Sequence, residues 1–379
     1  MTILEQMREA ATTLENTFIK QWKKDGGKVV GHSCTFMPPE IIYAAGLLPV
    51  RLRGLGTTSV AIADAYYGPV VCSVPKCYVQ LGAEGKYHYL DGAIVTNGCD
   101  SMRRLYDCWE AASKDHPGTL PKFFEFMGVP HKSNDYSIDF YEQDLKLLSE
   151  KIEKHFKVKI TDQSLKKAIK VYNEGRKLLQ KFDELRWRKD VPITGEDAMA
   201  VIIASQVIPR PEFNALLKDL IDELKKAPAV SNGKKRIMLV GSANDDVDFV
   251  KVIEASGAVV VSDTVCFGAR TYINQVDEKG KPLSALAEHY LKNNICPRML
   301  GCYPDRIAYI KDLVKKSNID GAVLQNVRFC DLHGSENGVI ERDLEEEGIP
   351  CMRLEREYGP LAETGRIRMR IDALIERIR

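Results

Sequence analysis

Apolar and polar positions divide the chain into three stretches with different rhythms. In the first, short apolar runs alternate with helix-patterned segments. Lys28–Gly31, Leu48–Leu52, Gly92–Thr96 and Phe123–Val129 read as strands. Pro38–Gly46 reads as a short helix, with Pro at its start, Glu40 in its first turn and Gly at its end. Asp100–Ala111 reads as another, with Asp100 as its N-cap. The middle stretch is helical throughout. Leu145, Leu148, Ile152 and Phe156 fall on one stripe of Tyr141–Phe156, and Leu165–Trp187 repeats the pattern. Thr194-Gly-Glu-Asp197 resembles a capping box, and Pro211–Lys226 is one more amphipathic helix. After a linker at Pro228, Ser231, Asn232 and Gly233, strand and helix alternate again. Arg236–Gly241, Ala258–Ser262, Gly321–Leu324 and Cys351–Leu354 read as strands. Asp246–Ser256, Ser284–Lys292, Arg306–Lys316 and Gly338–Glu347 read as the helices between and after them.

Alternation of this kind predicts parallel sheets with helices on their faces. The expected fold class is α/β, with two Rossmann-like parallel-sheet domains plus a helical subdomain. The divisions fall at 1–139, 140–233 and 234–379. The two α/β stretches share a detail. An apolar strand runs into Asn97-Gly-Cys99-Asp100 in one and into Asn326-Val-Arg-Phe-Cys330-Asp331 in the other. In open α/β sheets, ligands bind in the crevice beyond the carboxyl ends of the strands.

Charge narrows the function classes. Fifty-four basic side chains face 53 acidic ones, so nothing electrostatic points to nucleic acid. With 44% hydrophobic residues the chain is not disordered. No run approaches the roughly 18 apolar residues of a membrane span, and Met1–Ala11 has no signal-peptide pattern. The expectation is a soluble, cytoplasmic protein.

Cysteine changes the picture. There are ten, and a cytosolic chain of this size has no use for a disulfide framework. The thiols are either buried small hydrophobes or metal ligands. No CxxC pair exists, so ligands would come from distant segments. Cys72, Cys99 and Cys330 each precede a helix pattern or sit in a loop beside a strand. Helix N-termini favour the thiolate, and sets of three or more thiolates select zinc or iron–sulfur clusters. Cys108 and Cys351 read as structural. His32 and His333 neighbour candidate cysteines and are either hydrogen-bonded structural residues or proton donors. Arg103 and Arg104 are helix surface or an attraction for anionic charge. Phosphate cradles are missing: there is neither GxxxxGK[ST] nor GxGxxG. Gly31-His-Ser33-Cys-Thr35 is one residue short of a nucleophile elbow. Lys234-Lys235-Arg236 reads as a solvated linker or a contact for pyrophosphate.

The stretch from Cys72-Ser-Val-Pro-Lys-Cys77 through Leu90-Asp-Gly-Ala-Ile-Val-Thr-Asn-Gly-Cys99-Asp100 resembles the central signature of the 2-hydroxyacyl-CoA dehydratase and benzoyl-CoA reductase family. Cys72 lies 19 residues before Asp91 and Cys99 eight after it. Cys77 falls at no family position. Cys34-x-x-x-Pro-Pro-Glu40, Arg236-Ile-Met-Leu-Val-Gly-Ser242 and Phe329-Cys330-Asp331 extend the resemblance from about residue 25 to the C-terminus. The resemblance implies a [4Fe–4S] cluster on Cys72, Cys99 and Cys330. It also implies a separate ATP-hydrolysing activator that injects low-potential electrons, which suits the missing P-loop, and a dimer of one chain or of two related chains.

Extra cysteines depart from the plain pattern and resemble a subgroup with a double-cubane [8Fe–9S] cluster. These are Cys34, Cys266, and Cys296 or Cys302. Cys34 and Cys266 follow strands, on the same rim as Cys99 and Cys330. Three readings follow. One is an iron–sulfur reductase of small molecules, working as a homodimer with the activator. Another is one subunit of a heterodimeric dehydratase or benzoyl-CoA reductase with a single [4Fe–4S] cluster. The last is a non-catalytic scaffold with incidental cysteines.

Overall fold

The computed structural model describes residues 1–359 and 364–378. Among them, eight strands form two parallel four-stranded sheets, accompanied by fifteen α-helices. The chain opens with α1 (Ile3–Thr12) and α2 (Thr17–Lys24). It then runs through β1 (Val29–His32), α3 (Pro39–Ala44), β2 (Leu48–Arg51), α4 (Ala61–Asp64), α5 (Ser73–Ala83), β3 (Gly92–Thr96), α6 (Asp100–Asp115) and β4 (Phe123–Met127). Four helices follow: α7 (Asp135–Phe156), α8 (Asp162–Trp187), α9 (Gly195–Ala204) and α10 (Arg210–Leu224). The second sheet begins with β5 (Lys235–Gly241), α11 (Val247–Glu254), β6 (Ala258–Thr264) and a 3-10 turn at Ala269–Thr271. It continues through α12 (Pro282–Lys292), α13 (Tyr303–Lys316), β7 (Gly321–Val327), α14 (Asp331–Glu345), β8 (Cys351–Arg356) and α15 (Thr364–Arg377). No helix among the described residues is long and apolar enough to cross a membrane.

The expected fold class holds, and the two sheets share one plan. Their orders are β2-β1-β3-β4 and β6-β5-β7-β8, parallel throughout. In each, the chain goes out to an edge strand and returns to the far side of its first strand. The loops after the two central strands then diverge, opening a crevice between them. Every residue of β1, β2, β3, β6 and β7 is buried. Strands covered on both faces read as unbroken apolar runs, which is why the sequence revealed them. Pairing of His32 with Ile94 and of Gly241 with Gln325 brings the central strands to a common rim.

Four details differ from the sequence reading. Cys99, not Asp100, is the N-cap of α6; its Sγ accepts the Met102 N–H at 3.4 Å. Helix α14 starts directly after Cys330, seven residues before the expected Gly338, because Gly334, Ser335 and Asn337 are weak helix formers. Thr194 caps α9 through the Asp197 N–H, but Asp197 accepts from the Thr194 hydroxyl instead of closing a capping box. Helix α12 packs against α7 and shares an apolar cluster with Val30, Ile41 and Tyr141, so the chain after β6 reaches back to the first sheet.

Candidate metal centre

Six thiols converge from both sheets. Cys34 leaves β1, Cys72 is the N-cap of α5, and Cys99 is the N-cap of α6. Cys266 follows β6, Cys296 follows α12, and Cys330 is the N-cap of α14. All ten cysteines of the chain are free. Cys72, Cys99 and Cys330 act on one another electrostatically. Cys296 feels Cys266 and Cys34. The two sets touch, since Cys99 feels Cys34 and Cys330 feels Cys266. Cys302 faces Asp305 and Arg306 instead, which separates it from Cys296. Cys77 is buried with its thiol toward the Tyr358 carbonyl, and Cys108 and Cys351 are buried in α6 and β8.

Close backbone packing builds the rim. A Cβ on Gly98 would lie 2.6 Å from Cys34 Sγ, so only glycine lets the two loops approach this far. Asn97 Oδ1 accepts the Val129 N–H at 2.6 Å, holding the β3–α6 loop. Phe329, directly before Cys330, takes a left-handed conformation with φ 61°. That costs about 1 kcal/mol or more for a bulky residue and marks a constrained turn. Arg298 ties the Cys296 loop to this rim by donating to the carbonyls of Asn97, Val129 and Pro130.

Burial governs the thiols. It pushes Cys72, Cys99 and Cys330 above the ordinary thiol range, although each Sγ accepts a backbone N–H at its helix start. The expected thiolate-favouring effect of the helix N-termini is thus outweighed in the metal-free chain. Cys296 is pushed up to about 11 by burial, against Arg270. Cys266 alone goes the other way. Burial raises it, but Arg270 and Arg51 outweigh burial, and Arg51 Nη2 lies 3.6 Å from its sulfur. The Thr35 hydroxyl lies 3.5 Å from the same atom.

Three arginines near these sulfurs escaped the sequence reading. Arg51, Arg270 and Arg298 are 3%, 5% and 2% exposed. Arg51 acts on Cys266 and Cys34, Arg270 on Cys266, Cys296 and Cys330, and Arg298 on Cys34, Cys296 and Cys99. None has a carboxylate partner among the described residues; their hydrogen bonds run to Thr35, to Cys266 and Met299 sulfur, and to main-chain carbonyls. A buried ion without a counter-charge costs several kcal/mol. The one sequence signal was Arg51, a charge inside the apolar run Leu48–Leu52.

The two candidate histidines are buried. His32 is held down to about 3 by burial and by Arg51, and its Nδ1 lies 3.3 Å from the Cys34 carbonyl. His333 is held well below the ordinary range by burial, Arg270 and Arg306. Both are neutral imidazoles at neutral pH, which departs from the reading of them as standing proton donors. Arg103 and Arg104 are exposed helix surface. Arg236 is neither linker nor pyrophosphate contact; its guanidinium staples carbonyls of Arg186, Trp187, Arg188, Ser317 and Asn318.

Among the described residues, no three His, Cys, Asp or Glu side chains close into a cage for a single metal ion. The donor set fits a larger thiolate-ligated group: soft ligands only, drawn from both sheets, with buried cations around them.

The sequence matches the family described as 2-hydroxyglutaryl-CoA dehydratase, D-component, over residues 34–378. One of the benzoyl-CoA reductase subunits of Thauera aromatica is 29% identical over 345 residues, covering 89% of this chain and 88% of the relative. The (R)-phenyllactyl-CoA dehydratase beta subunit of Clostridium sporogenes is 27% identical over 340 residues, with the same coverage. The beta subunit of (R)-2-hydroxyglutaryl-CoA dehydratase from Acidaminococcus fermentans is 22% identical over 363 residues, 93% of each chain. These relatives are enzyme subunits, which removes the ground for reading the chain as a scaffold with incidental cysteines. With the family match running through all six converging cysteines, the chain belongs to the 2-hydroxyglutaryl-CoA dehydratase D-component family.

Proposed function

We propose that this chain is a cytoplasmic iron–sulfur reductase that carries a double-cubane [8Fe–9S] cluster. Cys72, Cys99 and Cys330 hold one cubane; Cys34, Cys266 and Cys296 hold the other. A separate ATP-hydrolysing activator supplies low-potential electrons, a homodimer is the working unit, and the substrates are small molecules. What carries this reading is the buried positive charge. Arg51, Arg270 and Arg298 gather mainly at the second set of thiols, where packing cysteines would need no cations at all. An anionic cluster there would balance them.

When bound, the group would supply low-potential electrons and iron positions able to polarise a substrate. The chain's own residues set the conditions. Six cysteine sulfurs would hold the group, and backbone N–H groups at the starts of α5, α6 and α14 would donate to three of them. Arg51, Arg270 and Arg298 would stabilise added negative charge. His32 and His333, neutral and buried, would offer a ring N–H or accept a proton without adding charge.

A second reading has its own support in the names of the relatives, which act on coenzyme A thioesters. In it the chain is one half of a heterodimeric dehydratase or reductase, with one [4Fe–4S] cluster on Cys72, Cys99 and Cys330. Iron and acid-labile sulfide on anaerobically purified protein separate the two. Roughly eight iron per chain, falling to about four in Cys296→Ser and unchanged in Cys302→Ser, supports the double cubane. About four iron in the wild type overturns it and favours the second reading.

A further inference from the structure

A cavity of about 50 Å³ lies where β1, β2, α8 and the turn between α9 and α10 meet. A smaller one of about 20 Å³ adjoins it, with Thr35, Thr271 and Tyr290 as common walls. Arg51, Arg176 and Arg210 line the first and Arg270 the second, while no carboxylate lines either among the described residues. The carboxylate that does act on Arg176 and Arg210 is Glu40. It is already engaged, by Arg176 Nη2 at 2.6 Å and the Tyr290 hydroxyl at 2.8 Å. Arg210 stacks on Tyr172 at 4.4 Å and has no ion-pair partner among the described residues.

Unused hydrogen-bonding groups remain here. The Nε of Arg51, of Arg176 and of Arg210 has no acceptor, and Gln206 Oε1 has no donor. Arg51 and Arg176 are 3% and 4% exposed, so bulk water does not satisfy them. The excess is cationic, planar and forked, the geometry that recognises a planar oxyanion. The volume admits a few water-sized atoms and no more. A nucleotide or an acyl-CoA is far too large.

We propose that this cavity is a binding site for a small planar oxyanion of the formate or bicarbonate class. Arg210 and Arg176 clamp it, and Arg51 separates it from Cys266. The site does not depend on how many cubanes the protein holds, because no thiol lines it.

The test is calorimetric titration of anaerobically purified protein with sodium formate and with sodium bicarbonate, iron being measured on the same sample. Saturable binding of either ion, one per chain, with a rise in Tm, is the expected result. Arg210→Gln should weaken binding by about tenfold or more and leave iron content unchanged. Gln206→Glu places a carboxylate in the cavity. It should abolish binding and leave a folded protein whose Tm no longer responds to the anion, so the proposal stays testable even if Arg210→Gln does not fold. Absence of saturable binding in the wild type, or wild-type affinity in Gln206→Glu, overturns it. Iron content near four with anion binding intact would remove the double cubane and leave this site standing.

Discussion

Gly98 is the residue with the least room to change. Alanine would put a carbon 2.6 Å from Cys34 Sγ, and that sulfur, not the strand behind it, would have to move. Gly98→Ala is therefore expected to lose about half of the bound iron if Cys34 holds the second cubane. Its far-UV circular dichroism should stay that of the wild type. Full iron content in the variant would show that Cys34 is not a ligand. Single residues were unevenly legible in the sequence. Cys72, Cys99 and Cys330 announced themselves through spacing and strand ends. Cys296 and Cys302 did not separate, because both sit in a loop where only Arg298 and its three main-chain carbonyls fix the direction of approach. The arginines stayed hidden for a related reason. Burial of a charge is a property of the assembled fold, and Arg270 and Arg298 lie in irregular segments with no period to betray which side is inside.

At the level of elements, two buried ionic clusters bind α8 to its neighbours. In the first, Glu40 from α3 joins Arg176 from α8 and Tyr290 from α12. Removing the carboxylate leaves a guanidinium buried and unpaired. Glu40→Ala should destabilise the protein by about 3–5 kcal/mol in urea unfolding, and a loss below about 1 kcal/mol would mean that water or an anion takes its place. In the second, Asp183 and Arg186 of α8 meet Asp263 of β6. Burial outweighs Arg186, with Asp263 adding to it, and raises Asp183 to about 6. A carboxyl group raised on folding binds its proton more tightly in the folded chain. Its stabilising contribution is complete below the ordinary carboxylate range and is lost as pH rises through about 6. Asp183→Asn should accordingly flatten the fall of Tm between about pH 4 and 7 relative to wild type; parallel curves would refute the assignment. Periodicity explains which elements were readable. Strands buried on both faces and helices with one apolar stripe stood out. Helix α5 did not, since all eleven of its residues are buried and no polar face marks the turn.

Across the whole molecule, the candidate ligands tie the two sheets together. Cys34, Cys72 and Cys99 come from the first, Cys266 and Cys330 from the second, and Cys296 from the segment between β6 and β7 that reaches back. A group held by both is part of the folding free energy of their junction. Anaerobic calorimetry should then show the iron-stripped protein melting several degrees below the loaded one. Equal melting temperatures would mean that the junction forms without help from the metal. The repeated strand order of the two sheets was only half visible beforehand, as a shared strand-Asn-Cys-Asp ending. Strand order depends on which edges pair, and pairing leaves no local trace in apolar runs.

That wide spread of sulfurs also dictates timing on the ribosome. Cys34 emerges early and Cys330 only when the chain is nearly complete, so neither set of thiols is whole on a nascent polypeptide. Assembly of the metal group must await release of the finished chain, and a translation product cut short before α14 would hold loose thiols and no complete site. The cell therefore needs a way to keep those thiols reduced during synthesis, and oxygen exposure in that interval would be as damaging as exposure of the mature enzyme.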